Sequence, residues 1–187
     1  VPYAGYGMNA GIADAMNLSW QLAAHLLGWA PEAIVGAHER ERQPITEQVS
    51  RFAMRHAMGA IRERTSVPAV LEDDTAEGEA ARRSVGEAAY ALHVQQFACA
   101  GLNYGYFYDD SPIIAHDGEP APAYSMHEYT PSTVPGCRTP HFWLRDGRSL
   151  LDAVGPWFTL LRFDTRVDVS ALQRAARDAG VPLQLLD

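Results

Sequence analysis

Cysteine is nearly missing from this sequence: Cys99 and Cys137 are the only two in 187 residues. They stand far apart with no CxxC spacing, which excludes dithiol exchange and cysteine-rich zinc modules and leaves two small buried residues in a reducing, cytoplasmic setting. The seven histidines show neither HxH nor HExxH spacing, so the sequence offers no ground for a metal centre. No GxSxG turn is present and no paired carboxylates stand in a catalytic context, which removes the common hydrolase patterns. No run approaches the roughly 20 apolar residues of a membrane helix, and no charged-then-apolar signal pattern stands at the start. The expectation is a chain without a membrane partner.

Basic charge is also scarce. Fifteen Lys and Arg face 23 Asp and Glu, giving a formal net charge of -8 and a pI near 5.3. The basic residues alternate with acids, as in His38-Glu-Arg-Glu-Arg42, and form no stripe that could neutralise phosphates. Nucleic acid is therefore not an expected partner. What is present is a hydrophobic fraction of 47%, enough for one domain, or one and a half sharing a core.

Along the chain, a helix is expected from Asn9 to about Leu27, with Asn9 as N-cap and Gly28 as terminator. Its apolar residues spread around more than one face, which predicts a largely buried helix. Pro31 fits the first turn of a shorter helix running to Arg42, where Pro44 interrupts it, and a further helix follows from Ile45 to about Arg64. Residues 66–78 read as a loop and 79–97 as helix, weakened in the middle by Gly86. The aromatic run Tyr104-Gly-Tyr-Phe-Tyr108 and Ser111-Pro-Ile-Ile-Ala115 predict two strands about a turn at Asp109-Asp110. Pro/Gly-rich connectors place a domain boundary near 120 to 135. Trp157–Phe163, Val169–Ala179 and Val181–Leu186 then read as strand, helix and strand, a parallel βαβ unit.

The opening is Gly-rich: Gly5-x-Gly7-x-x-x-Gly11 runs into the first helix. A dinucleotide fingerprint requires a strand before the glycines and another after the helix, and here helix follows helix. The surviving physical content is a loop that permits close backbone approach and leads to a helix N-terminus able to stabilise an anion.

The run Gly5-Tyr-Gly-Met-Asn-Ala-Gly-Ile-Ala-Asp-Ala-Met-Asn-Leu-Ser-Trp20 resembles the GxGMNxGIxDAxNLxWKL block of FAD-dependent aromatic hydroxylases, the class A flavoprotein monooxygenases, with Gln21 where Lys is usual. Glu41-Arg42 with Pro44 is similar to the ERxP that follows. Gly105-Tyr-Phe-Tyr-Asp-Asp-Ser-Pro-Ile-Ile114 and Pro135-Gly-Cys-Arg-Thr-Pro-His-Phe-Trp-Leu-Arg-Asp-Gly-Arg-Ser-Leu150 resemble the GYxYxxSPI and PGxRxPHxWLxDGRSL segments of the phenol hydroxylase-like branch.

The resemblance implies an α+β fragment: the helical end of a PHBH-like FAD-binding domain over residues 1–120, then a linker and an incomplete thioredoxin-like domain over 121–187. It implies FAD as cofactor, NAD(P)H as co-substrate, and a phenolic or polyketide-like aromatic ring and O2 as substrates. It implies backbone N–H groups of Met8 and Asn9 facing flavin N1 and the C2 carbonyl, Gly5 and Gly7 allowing close approach, and Pro2 on the side where oxygen reacts. The family's GxGxxG unit and GD block are not found here, so this polypeptide alone is expected to bind FAD weakly or not at all. It reads as a chain entered midway. A homodimer is compatible with this reading, and the residues themselves fix no oligomeric state. The alternatives are a non-catalytic structural or dimerisation piece, or a flavin epoxidase or Baeyer–Villiger enzyme on the same scaffold. Asp14, Asn17 and Trp20 are expected to support the fold rather than touch substrate.

Overall fold

The computed structural model describes residues 5–187, in which three long helices lead into irregular connectors and a small parallel sheet. Helix α1 (Tyr6–Leu26) has few β-branched residues and begins three residues before the expected Asn9 cap. Gly5 is the N-cap, in the left-handed region at φ 70°, and the Asn9 amide donates to the Gly5 carbonyl at 3.0 Å. The left-handed backbone sets the helix start, so the sequence signal at Asn9 marks the first turn rather than the cap. At the other end Gly28, at φ 81°, donates to the His25 carbonyl as a terminating glycine should.

Burial of α1 departs from expectation. Only Gln21 and Ala24 are buried, while Met8, Ile12, Met16, Leu22 and Leu26 are exposed. Met8, Ile12 and Met16 recur at every fourth position, a single stripe that no other described element covers.

A short 3-10 turn (Glu32–Gly36) leads into α2 (Ala37–Thr65), which runs unbroken through Pro44. The expected interruption is overridden. Proline forfeits one ladder hydrogen bond, but Glu41 and Arg42 just before it and Ile45 just after it are all buried, so both sides of the gap are held by tertiary contacts. Helix α3 (Ala76–His93) starts at an N-cap the sequence reading passed over, with Thr75 Oγ1 accepting from Gly78 N at 3.1 Å.

Helix α4 (Ala100–Tyr104) replaces the start of the expected hairpin, and residues 105–115 contain no strand. Backbone pairing there is limited to contacts such as Tyr108 N to Gly136 O at 3.1 Å; the aromatic residues pack by their rings instead. Gly101 explains how α4 docks: an added Cβ would stand 1.7 Å from the Ser125 carbonyl oxygen, so only glycine lets segment 125–128 lie against the helix.

The carboxy-terminal region follows its periodicity. Ser149 caps the short α5 (Leu150–Ala153), and Trp143 bridges Ser149 across a turn at Gly147. Strands β1 (Phe158–Leu161) and β2 (Leu183–Leu186) pair in parallel, Phe158 opposite Leu183, with α6 (Ser170–Asp178) as the crossover. Edge-to-face contacts of Trp20 and Trp29 with Phe158, and of Trp29 with Trp157, seat this unit against the end of α1. This is the expected α+β arrangement, mostly helical with a small sheet. No described helix is long and apolar enough to cross a membrane.

Candidate functional site

Three of the sequence blocks converge on one buried polar network between α1, α2 and the segment at 108–111. The Glu41 carboxylate, 3% exposed, accepts from Asn17 Nδ2 at 2.6 Å, from Gln21 Nε2 at 3.3 Å and from Ser111 Oγ at 2.5 Å. On the neighbouring position Arg42, 5% exposed, donates to Asp14 at 2.8 Å and to the Tyr108 hydroxyl at 3.4 Å, with its guanidinium 5.7 Å from the Tyr106 ring centroid. Burial opposes the Arg42 charge, and Asp14 and Tyr108 outweigh it, leaving the pKa above its ordinary value. Arg40 pairs with Asp110 at the rim.

Asp14 and Asn17 hold α1 to α2, Asp14 through Arg42 and Asn17 through Glu41 and His38. Trp20 packs on Phe158. One group is left over: Gln21 Oε1 is buried without a hydrogen-bond partner.

The network fixes α1 and thereby presents its first turn. With Gly5 as cap, the ladder assigns Asn9 N–H to the Gly5 carbonyl, so the Asn9 N–H expected to face the flavin is taken up within the helix; the N–H groups of Met8, as expected, and of Gly7 and Tyr6 have no acceptor inside the helix. Gly5, Gly7, Met8 and Asn9 are all exposed, and a Cβ added at Gly5 would meet nothing within 4 Å. A cleft of about 230 Å³ runs alongside, lined by Tyr6, Gly7, Ala10, Gly11 and Asp14 from α1 and by Thr46, Val49 and Ser50 from α2. Pro2 lies outside the described residues.

Sequence reasoning missed a second cavity, of about 460 Å³, on the other side of α2. Phe52, Leu92, Leu102 and Met126 make its apolar walls, and Gln48, Arg51, Arg55, Gln95 and Tyr124 supply polar groups around them. Burial, and then the nearby Cys99, push the Tyr124 phenol upward from its ordinary value. These residues come from four separate stretches with no shared motif, so only the packing of α2 against α3 and the 124–126 segment reveals them. Phe52 belongs to this cavity and also meets the Tyr6 ring edge-to-face at 5.9 Å, which links it to the first turn of α1.

Residues 1–53 match the family model of the FAD binding domain. The chain is 34% identical over 166 residues to the FAD-dependent monooxygenase opdD of Penicillium oxalicum, covering 87% of this chain and 31% of that protein. It is 31% identical over 205 residues to a phenol 2-monooxygenase of a Pseudomonas species, covering 98% and 33%. Among solved structures, the rebeccamycin biosynthetic enzyme RebC with reduced flavin superposes at a TM-score of 0.85 with 36% identity, covering 99% of this chain and 34% of RebC. The flavin-dependent monooxygenase PieE, in complex with FAD and substrate, superposes at 0.82 with 31% identity, covering 100% and 36%.

Over nearly its whole length the chain resembles part of the FAD-dependent monooxygenases. It spans about a third of the length of these relatives.

This likeness poses a physical test, since a flavin ring that becomes anionic on reduction needs hydrogen-bond donors or positive potential at close range along one edge. The first turn of α1 fits it. Gly5 and Gly7 carry no side chain to shield the exposed backbone, the Gly7 and Met8 N–H groups have no acceptor within the helix, and the helix end contributes partial positive charge without a charged side chain. The described residues hold no corresponding cradle for a pyrophosphate, so the fit concerns the ring end of the cofactor.

Proposed function

We propose that the first turn of α1 is the wall of an FAD site facing the flavin ring, in a monooxygenase that hydroxylates a phenolic or polyketide-like aromatic ring with NAD(P)H and O2. The observation that carries this reading is the pair of N–H donors at the exposed residues Gly7 and Met8, without acceptors inside the helix and beside a left-handed Gly5, in a chain that resembles FAD-dependent monooxygenases. When bound, FAD supplies the redox chemistry that the side chains lack, accepting reducing equivalents from NAD(P)H and activating O2.

The chain's own residues hold and orient. Gly7 and Met8 N–H groups donate to the flavin edge that gains negative charge, with Asn9 tying its amide back to Gly5 and so stiffening the turn. Gly5 and Gly7 admit the ring, and Pro2 is assigned to the oxygen side. The cavity at Phe52 is the candidate substrate pocket: its apolar walls suit an aromatic ring, and Arg51, Arg55 and Tyr124 suit phenolic or ketone oxygens. Residues 1–120 are assigned to the FAD-binding part and residues 121–187 to a linker and thioredoxin-like unit, whose single Cys137 leaves it without dithiol chemistry.

In the intact protein, Gly7→Val introduces a branched side chain where the ring must approach. The expected result is loss of bound flavin, read as visible absorbance per polypeptide, or NAD(P)H oxidation poorly coupled to product. Unchanged flavin content together with unchanged hydroxylation rejects the assignment.

A further inference from the structure

Tyr6 is the side chain of the α1 first turn that reaches another element, since Met8 and Asn9 point into the exposed surface. Its phenol oxygen ends 2.7 Å from Sγ of Cys99, 93 positions along the chain. The hydrogen-bond partners around this sulfur are compatible with the phenol as donor. The Asn103 amide donates to Sγ at 3.6 Å, and the thiol has the Gln96 carbonyl as an acceptor at 3.4 Å, an arrangement in which the sulfur accepts from the Tyr6 hydroxyl.

The surroundings make this a fixed point rather than a surface contact. Cys99 is 2% exposed and packs with Phe52 and Leu102, and the Tyr6 ring stands edge-to-face on the same Phe52. Burial, and then Cys99, raise the Tyr6 pKa above the ordinary phenol value, so the hydroxyl keeps its proton through the neutral range. Glycine on both sides of Tyr6 and the lack of a side-chain cap at Gly5 leave this part of the turn with little other anchorage.

We infer that Tyr6 and Cys99 form a positioning pair that sets the height of the α1 first turn above its apolar floor, and thereby how closely Gly7 and Met8 N–H groups meet the flavin edge. The inference rests on the flavin reading above. Tyr6 acts through the backbone of the turn; it is a positioning residue, and the sulfur undergoes no reaction.

The experiment compares the intact, FAD-loaded protein with Tyr6→Phe, Cys99→Ala, Cys99→Ser and the Tyr6→Phe/Cys99→Ala double variant. Read together are the FAD dissociation constant, the visible flavin band, the flavin midpoint potential and the thermal midpoint. Tyr6→Phe and Cys99→Ala are each expected to weaken FAD about fivefold, the worth of one hydrogen bond, and to move band and potential in the same direction. The double variant should do no more than either alone, and Cys99→Ser, which keeps an acceptor, should stay within about twofold of the parent. A lowered thermal midpoint with dissociation constant, band and potential unchanged would falsify the inference, because the contact is then packing alone. Additive single effects also overturn it, since the two residues would act separately. A parent protein that takes up no flavin removes the flavin reading and this inference together, an outcome distinct from an unaltered Tyr6→Phe.

Discussion

The α1–α2 region and the strand–helix–strand unit at 158–186 spend polar side chains in opposite ways. Around α1 and α2, Gln21, Glu41, Arg42 and Ser111 are all buried and bonded across elements distant in sequence. In the βαβ unit no residue of α6 is buried, and its ion pairs, Arg162 with Asp187 and Arg166 with Asp164, lie at the surface. Buried hydrogen-bonded groups cost much to leave unpaired, so the first region tolerates one geometry. The second is held by strand pairing and apolar contacts that tolerate exchange. The more constrained region is the one that carries the first turn of α1.

The sharpest way to break this contrast is Arg42→Met. It leaves Asp14 and the Tyr108 hydroxyl without their donor, and about 1–3 kcal/mol of stability should be lost, measured as a lowered denaturant midpoint. A loss no greater than that of a surface substitution would show that the network is ornamental. A smaller effect, of opposite sign, is expected from Gln21→Lys, which replaces the amide whose oxygen has no partner and gives Glu41 a cation. The gain should be about 1 kcal/mol, seen as a raised thermal midpoint.

The smallest effect belongs to the βαβ unit. Arg162 holds the Asp187 carboxyl below its ordinary value of 3.8, first by hydrogen bonding and then, against some desolvation, by its charge. A depressed carboxyl pKa contributes stability above the unfolded value and loses it as pH falls through the folded one. Arg162→Gln should therefore return the Asp187 titration, followed by NMR, toward 3.8 and leave the melting temperature at neutral pH nearly unchanged. A large drop in melting temperature would mean that the two regions do not differ as described.

The same two regions differ in how far they could be read from residues. Local periodicity was enough for the βαβ unit, where apolar runs of strand length flank an amphipathic stretch and the observed elements fall inside the expected limits. It misled at residues 104–115, because aromatic and β-branched residues there serve ring packing and the Arg42 contact rather than a ladder. It misled again at Pro44, where buried neighbours carry α2 through a residue that breaks isolated helices. Asn9 looked like a cap because its residue type suits one; the left-handed Gly5 takes that place.

By itself the sequence determined the α1 block, its glycines, the family resemblance and the strand–helix–strand order at the carboxy-terminal end, since spacing and residue type act within a few turns of chain. Only the tertiary structure decided that Asp14, Asn17, Glu41, Arg42 and Ser111 share one network, that Tyr6 rests on Cys99, and that Phe52 joins the first turn of α1 to a cavity. Those contacts join residues dozens of positions apart, and what selects them is the need to satisfy buried polar groups, a condition defined only once the helices have packed.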